Sequence, residues 1–162
     1  MKFALVAALA APLSPGNVFA ADPPTVKAGL WEIHGQSIEN PGGLKTEFTY
    51  KLCRSHRFDK AMTATLRNLE GCSTSLNDLG GGRFSAASRC TVNDVVIESK
   101  GITVYQSSTS THSETEAFYT PAWKGKTDET LVEDQKHIGR CPAGMKPGDR
   151  MTAGGLIVHS AQ

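Results

Sequence analysis

Alternation of apolar and polar residues is clearest between positions 44 and 52. Leu44, Thr46, Phe48, Tyr50 and Leu52 fall on one side of an extended chain, with Lys45, Glu47, Thr49 and Lys51 on the other. A period of two with one polar face is what a half-buried antiparallel strand requires. Upstream, residues 28–37 place Trp31 and Ile33 on a shared face, and Asn40-Pro41-Gly42-Gly43 between the two runs reads as a turn. The two runs and the turn predict a β-hairpin. The period then changes. Phe58, Met62, Leu66 and Leu69 recur at spacings of four, four and three, which stacks them on one face of a helix. Ser55 is the expected cap at its start and Gly71 at its end.

Beyond the helix, residues 72–79, 83–91, 95–106, 107–119 and 127–138 are rich in Thr, Val, Ser and Ile, with Gly, Asn-Asp or Pro at the breaks. They read as strands of a meander. The polar run 107–113 is expected to be a solvated edge, suited to accept another chain by strand addition. The pattern predicts a mostly β (α+β) domain. Its architecture is a curved antiparallel sheet or partial barrel of about seven to eight strands, with one helix after the second strand. The tail, 150–162, has no partner in this pattern and is expected to fray.

Residues 1–20 read as a cleavable export signal: Lys2, an apolar run from Phe3 to Leu13, and Val18-Phe19-Ala20 before a cut between Ala20 and Ala21. No cysteine follows the run, so no lipid attachment site is predicted. The run is also well short of the roughly 20 residues that span a bilayer. The expected organisation is thus signal 1–20, one β-rich domain 21–149, and a tail 150–162, with the mature protein periplasmic or secreted. Of 17 Lys and Arg against 16 Asp and Glu, cleavage removes Lys2 and leaves 16 of each. A balanced charge argues against nucleic acid, which is held by a dominant positive field. It argues equally against anionic membrane surfaces, and no stable membrane insertion is expected.

Export carries four cysteines, Cys53, Cys72, Cys90 and Cys141, into an oxidising compartment where they pair. If Gly80-Gly81-Gly82 is a hairpin loop, Cys72 and Cys90 are equidistant from Gly81 and face each other across the strands. Cys53 is left for Cys141. In the chain-entropy model the short loop contributes about 3 kcal/mol and the long one about 4.6 kcal/mol.

Candidate chemistry is sparse. His34, His56, His112, His137 and His159 are scattered without metal-ligand spacing, so no metal and no cofactor is expected. There is no nucleophile elbow. Asp78, Asp94, Glu114 and Glu116 are explained as surface charges on strands more economically than as a catalytic pair. Gly80-Gly81-Gly82 runs into Arg83 and a strand, which is not a phosphate cradle. Trp123 with Lys124 and Lys126 has the elements of an anion or sugar site, but a loop anchored by a buried aromatic accounts for it more simply.

Gly29-Leu30-Trp31-Glu32, Cys53, the Cys72 and Cys90 pair, and the run Gly139-Arg140-Cys141-Pro142-Ala143-Gly144-Met145-Lys146-Pro147-Gly148-Asp149 together resemble the exported bacterial family known as domain of unknown function 3617. The likeness covers residues 26–149, with Cys-Pro-x-x-Met-Lys-Pro-Gly-Asp its most specific part. It implies a disulfide-bonded, exported, β-rich fold and carries no catalytic residues. A weaker likeness, Gly29-Leu30-Trp31 to the Gly-x-Trp start of lipocalins, implies a barrel holding a small apolar ligand. The helix after two strands departs from that pattern.

These observations favour a non-enzymatic envelope protein, expected to be a monomer, that binds a partner through its sheet and loops or plays a structural part. A lipocalin-like carrier of a small apolar ligand is the alternative, and an enzyme ranks third. No ligand-binding residue is assigned. The carrier reading requires an apolar cavity of roughly 300 Å³ or more.

Overall fold

The computed structural model describes residues 22–160, so the export segment and its cleavage site lie outside it. The chain forms β1 (Gly29–Asn40), β2 (Leu44–Arg54), α1 (His56–Arg67), β3 (Cys72–Gly80), β4 (Arg83–Val92), β5 (Val95–Ser107), β6 (Ser110–Trp123), β7 (Lys126–Gly139), β8 (Arg150–Thr152) and β9 (Ile157–Val158). The strands make one open antiparallel sheet in the order β3-β4-β5-β6-β7-β1-β2-β8-β9. The first hairpin is laid down, α1 carries the chain to the far edge, and a meander returns until β7 pairs with β1. The sheet has nine strands against the expected seven to eight, and the last two come from the tail, where β8 pairs with β2 and β9 with β8. The segment expected to fray therefore extends the sheet.

Tight turns fix the register. Gly81 and Gly82 at the β3–β4 turn and Asn93 and Asp94 at the β4–β5 turn all have positive φ. Two such residues in succession are what a primed two-residue turn needs to match the strand twist. The run 107–113 is a correction. It spans the β5–β6 hairpin, and β6 lies between β5 and β7, so the sheet edges are β3 and β9 instead.

Pairing across the strands sorts the residues onto two faces. One carries Glu32, Lys51, Lys136, Asp134, His112, Glu114, Lys100 and Glu98 and faces solvent. The other carries Trp31, Ile33, Phe48, Tyr50, Leu52 and Tyr105. Trp31 and Ile33 are fully buried there with Val26, and Phe48, Tyr50, Leu52 and Tyr105 pack against them. Full burial of an apolar side chain such as Ile33 contributes roughly 1.5–3 kcal/mol, and the partly buried ones correspondingly less. The Trp31 indole N–H donates to the Lys27 carbonyl at 2.8 Å. Gly35 is required by the same core, because a Cβ there would sit 2.1 Å from the Phe48 ring. Tyr105 reaches this cluster although three strand spacings, about 14 Å in a flat sheet, separate β5 from β1. The sheet curls around its apolar face.

A second, smaller core lies on the opposite face. Leu30, Cys53 and Met145 are buried there, covered by Cys141, Met151 and Ile157. The segment 141–149 crosses this patch, tied by the Cys53–Cys141 disulfide and by backbone hydrogen bonds from Cys53 to Asp149 and from Gly148 to Cys53. The Cys72–Cys90 disulfide closes the β3–β4 hairpin between directly opposed residues. Both pairings agree with the hairpin argument, and the described residues contain no free cysteine.

Ser55 caps α1 as expected, its hydroxyl accepting from the Phe58 N–H at 3.2 Å. The other end differs. Asn68 closes the helix by donating from its backbone and its side chain to the Ala64 carbonyl, three residues before Gly71.

Candidate ligand cavity between the helix and the sheet

An amphipathic helix beside a curled sheet ordinarily buries its apolar face. This one does not: no residue of α1 is buried, Met62 and Leu66 remain 45% and 50% exposed, and Leu69, expected on the same face, lies beyond the end of the helix. Between that stripe and the inner face of the sheet is a cavity of about 830 Å³. Its apolar wall combines Phe58, Met62 and Leu66 of the helix with Val26, Leu52 and Val158. The remaining lining comes from the N-terminal segment, from His56, Asp59, Lys60 and Thr63 of α1, from the sheet strands β2, β5, β7 and β8, from Gly148 and from the end of the tail.

Polar and charged groups make up much of the rest of the lining, and several of them are tied to one another. Arg54 continues the inner-face alternation of β2 beyond Leu52, which aims its side chain into the cavity. Its guanidinium lies over the Trp31 ring at 4.8 Å. Arg54 Nε donates to Asp59 Oδ1 at 2.9 Å and Nη1 to Gln135 Oε1 at 3.2 Å. Gln135 in turn donates to Glu133 at 3.4 Å. Burial raises the Glu133 carboxyl above its ordinary range, against the opposing pull of Gln135 and Arg150. Burial likewise raises the phenols of Tyr105 and Tyr50, with Glu133 adding to the effect at Tyr50. Arg150, opposite Leu52 on β8, holds its guanidinium 5.2 Å from the centre of the Tyr50 ring.

The tail closes one end through Asp149, which is 2% exposed. Its carboxylate accepts from the Lys146 N–H at 2.7 Å, the Ser160 N–H at 3.1 Å and His159 Nδ1 at 2.9 Å. The Lys146 amide is the first cause that holds this carboxyl below its usual range, followed by His159. Gly148 fits the same junction, since a Cβ there would lie 2.7 Å from Ser160 Oγ and 3.0 Å from the Phe58 ring. The Lys-Pro-Gly-Asp run therefore joins helix, strand and tail at the rim of the cavity.

The residues weighed from the sequence lie elsewhere or serve local ends. Asp78 accepts from the Gly80 amide, Asp94 sits in a turn, Glu114 pairs with His112, and Glu116 with Lys100. They do not converge. His34 pairs with Glu32, and His137 meets the Trp31 ring edge-on; only His56 and His159 reach the cavity. Among the described residues no group of three or more His, Cys, Asp or Glu is placed to hold a metal ion. The His159–Asp149 pair, with the Ser160 N–H beside it, ties the end of the tail to the segment before β8. Trp123 is a correction. It is 39% exposed, with Lys124 5.0 Å and Lys126 5.7 Å from its centre, and Lys126 also bonds Glu39 and Glu129. Its cation positions are filled by the chain's own lysines.

Arg54, Asp59, Gln135 and Arg150 were not singled out by sequence reasoning. One signal pointed to the first of them: an arginine on the apolar side of an otherwise clean alternation. No protein-family model matches the chain, and no curated protein matches it in sequence. The family likeness rests on the motif residues themselves, and the lipocalin likeness meets a sheet that is open.

Proposed function

We propose that this is an exported, non-catalytic binding protein that holds a small apolar molecule between α1 and the inner face of its sheet. The observation that carries the reading is the exposed Met62–Leu66 stripe facing a cavity of about 830 Å³. That volume falls within the roughly 300–1,000 Å³ of small-molecule sites and exceeds what the carrier reading requires. Leaving such a stripe in water forgoes about 25 cal/mol per Å² of apolar surface, which an apolar occupant restores. The sheet supplies a rigid wall, and the two disulfides suit a compartment outside the reducing cytoplasm. No helix among the described residues is long and apolar enough to cross a membrane.

Native mass spectrometry of protein purified gently from the periplasm, repeated on the denatured sample, tests the reading. Extra mass lost on denaturation is the expected result. In parallel, the neutral fluorophore N-phenyl-1-naphthylamine should brighten on binding, and Thr63→Trp, which fills the cavity, should abolish the signal. A clean native mass together with no brightening would reject the reading. N-terminal sequencing of the same sample should begin at Ala21.

A further inference from the structure

The charges around the cavity are unequally committed. Of its two acidic lining residues, Asp59 is bonded to Arg54, and Asp22 lies 2.8 Å from Arg67. His159 is held by Asp149. Among the described residues, Lys60 and Arg150 line the same cavity with no carboxylate within 4 Å, and Glu133, which senses Arg150, is not in ion-pair contact with it. The cavity thus combines an apolar wall, two cations without an ion-pair partner and no uncommitted anion. Arg150 is the better placed of the two cations. It projects from the paired strand β8, shares a face with Leu52, and rests its guanidinium on Tyr50. A stacked guanidinium keeps donors in a planar fork that matches a carboxylate, with little freedom left to lose on binding.

We propose that the occupant is a single-chain amphiphile with a carboxylate head, of the fatty-acid class. The head is taken by Arg150, and the hydrocarbon lies along Met62, Leu66, Val26 and Leu52. This rests on the binding reading above and adds the head-group chemistry to it. A neutral apolar molecule would fill the same space without using either uncommitted cation. An acidic peptide would offer several charges to a site with little to pair them.

The test titrates the disulfide-bonded, full-length mature protein with dodecanoate and with 1-dodecanol below their aggregation limits, following displacement of N-phenyl-1-naphthylamine. Dodecanoate is expected to bind about ten- to a hundredfold tighter than dodecanol, the value of one hydrogen bond to a charged group. Octanoate, shorter by four methylenes, should bind about a hundredfold or more weaker than dodecanoate. Arg150→Gln should erase the preference for the acid, whereas Lys60→Gln should reduce it only in part. The comparison of the two ligands on the unmodified protein needs no variant, so it decides the point even if a substitution disturbs folding. Equal affinity for dodecanoate and dodecanol would overturn the head-group assignment and leave the cavity reading standing. Displacement by neither ligand, with no binding of the fluorophore, would overturn both. A preference erased by Lys60→Gln and kept in Arg150→Gln would overturn the assignment to Arg150.

Discussion

The two disulfides join loops of different length in different structural settings, so removing them should have unequal consequences. Cys72 and Cys90 are 18 residues apart and close a hairpin already held by its own ladder; Cys53 and Cys141 are 88 apart. The chain-entropy model assigns about 3.2 kcal/mol to the first and about 4.6 kcal/mol to the second, a difference of roughly 1.4 kcal/mol. Packing widens the gap. Cys53 is 1% exposed and sits against Leu30 and Met145, and the segment it anchors also covers that core. The Cys53→Ala/Cys141→Ala protein should therefore lose more than 4 kcal/mol, a large part of the roughly 5–15 kcal/mol typical of a domain. Cys72→Ala/Cys90→Ala should lose about 3 kcal/mol and keep the rest of the sheet. Urea unfolding of both double variants, followed by tryptophan fluorescence, gives the two values directly. The slope m should rise in each, more in the long-loop variant, because an uncrosslinked unfolded chain exposes more surface. Equal losses, or a larger loss from the hairpin variant, would refute this reasoning.

Two further perturbations probe the core and the tail. Gly35→Ala would push a methyl into the Phe48 ring, 2.1 Å from the ideal Cβ position, and should cost about 1–3 kcal/mol by overpacking. Phe48→Leu in the same background should recover part of that cost in the same urea assay, and no recovery would mean the strain lies elsewhere. The Asp149 carboxyl is held below its usual range, first by the Lys146 amide and then by His159 and Ser160. A carboxyl depressed in the folded state stabilises fully above its unfolded value, near pH 3.9, and loses that contribution as pH falls through the lower folded value. Asp149→Asn should therefore flatten the acid limb of stability below about pH 4. An acid limb identical to the wild type would show that the clasp carries no linkage.

Much of the sheet was legible because strand patterns and turns are local. The alternation at positions 44–52, the helical spacing from Phe58 to Leu66, and the glycine turn that opposes Cys72 to Cys90 each lie within about twenty residues, and each formed as expected. What escaped was set by distance. The edge identity of residues 107–113 depended on β7 returning to pair with both β6 and β1, a choice no local pattern encodes. The tail found its place on the open edge of β2, about 100 residues away in the chain, and through hydrogen bonds to Asp149 that no strand pattern marks. The cavity was hidden for the same reason. Its residues come from the N-terminal segment, β2, α1, β5, β7 and the tail, and no single stretch carries more than a part of the pattern.

The helix was the element whose shared apolar face was legible and whose packing the sequence left open. Spacing shows that Phe58, Met62 and Leu66 share a face, but it does not say whether anything covers that face. In this chain the inner face of the sheet is already supplied with apolar cover of its own: Val26 lies on Trp31 and Ile33, and Phe48 occupies the space left by Gly35. The Arg54–Asp59 pair then fixes the first turn of the helix to the end of β2, while Phe58 meets Gly148 beside it. These contacts anchor α1 at its N-terminal end, Arg67 ties its last turn to Asp22, and Met62 and Leu66 between them stay half exposed. An open stripe on an anchored helix, facing a wall lined by arginines stacked on aromatic rings, supports the proposed reading of a site completed by its ligand.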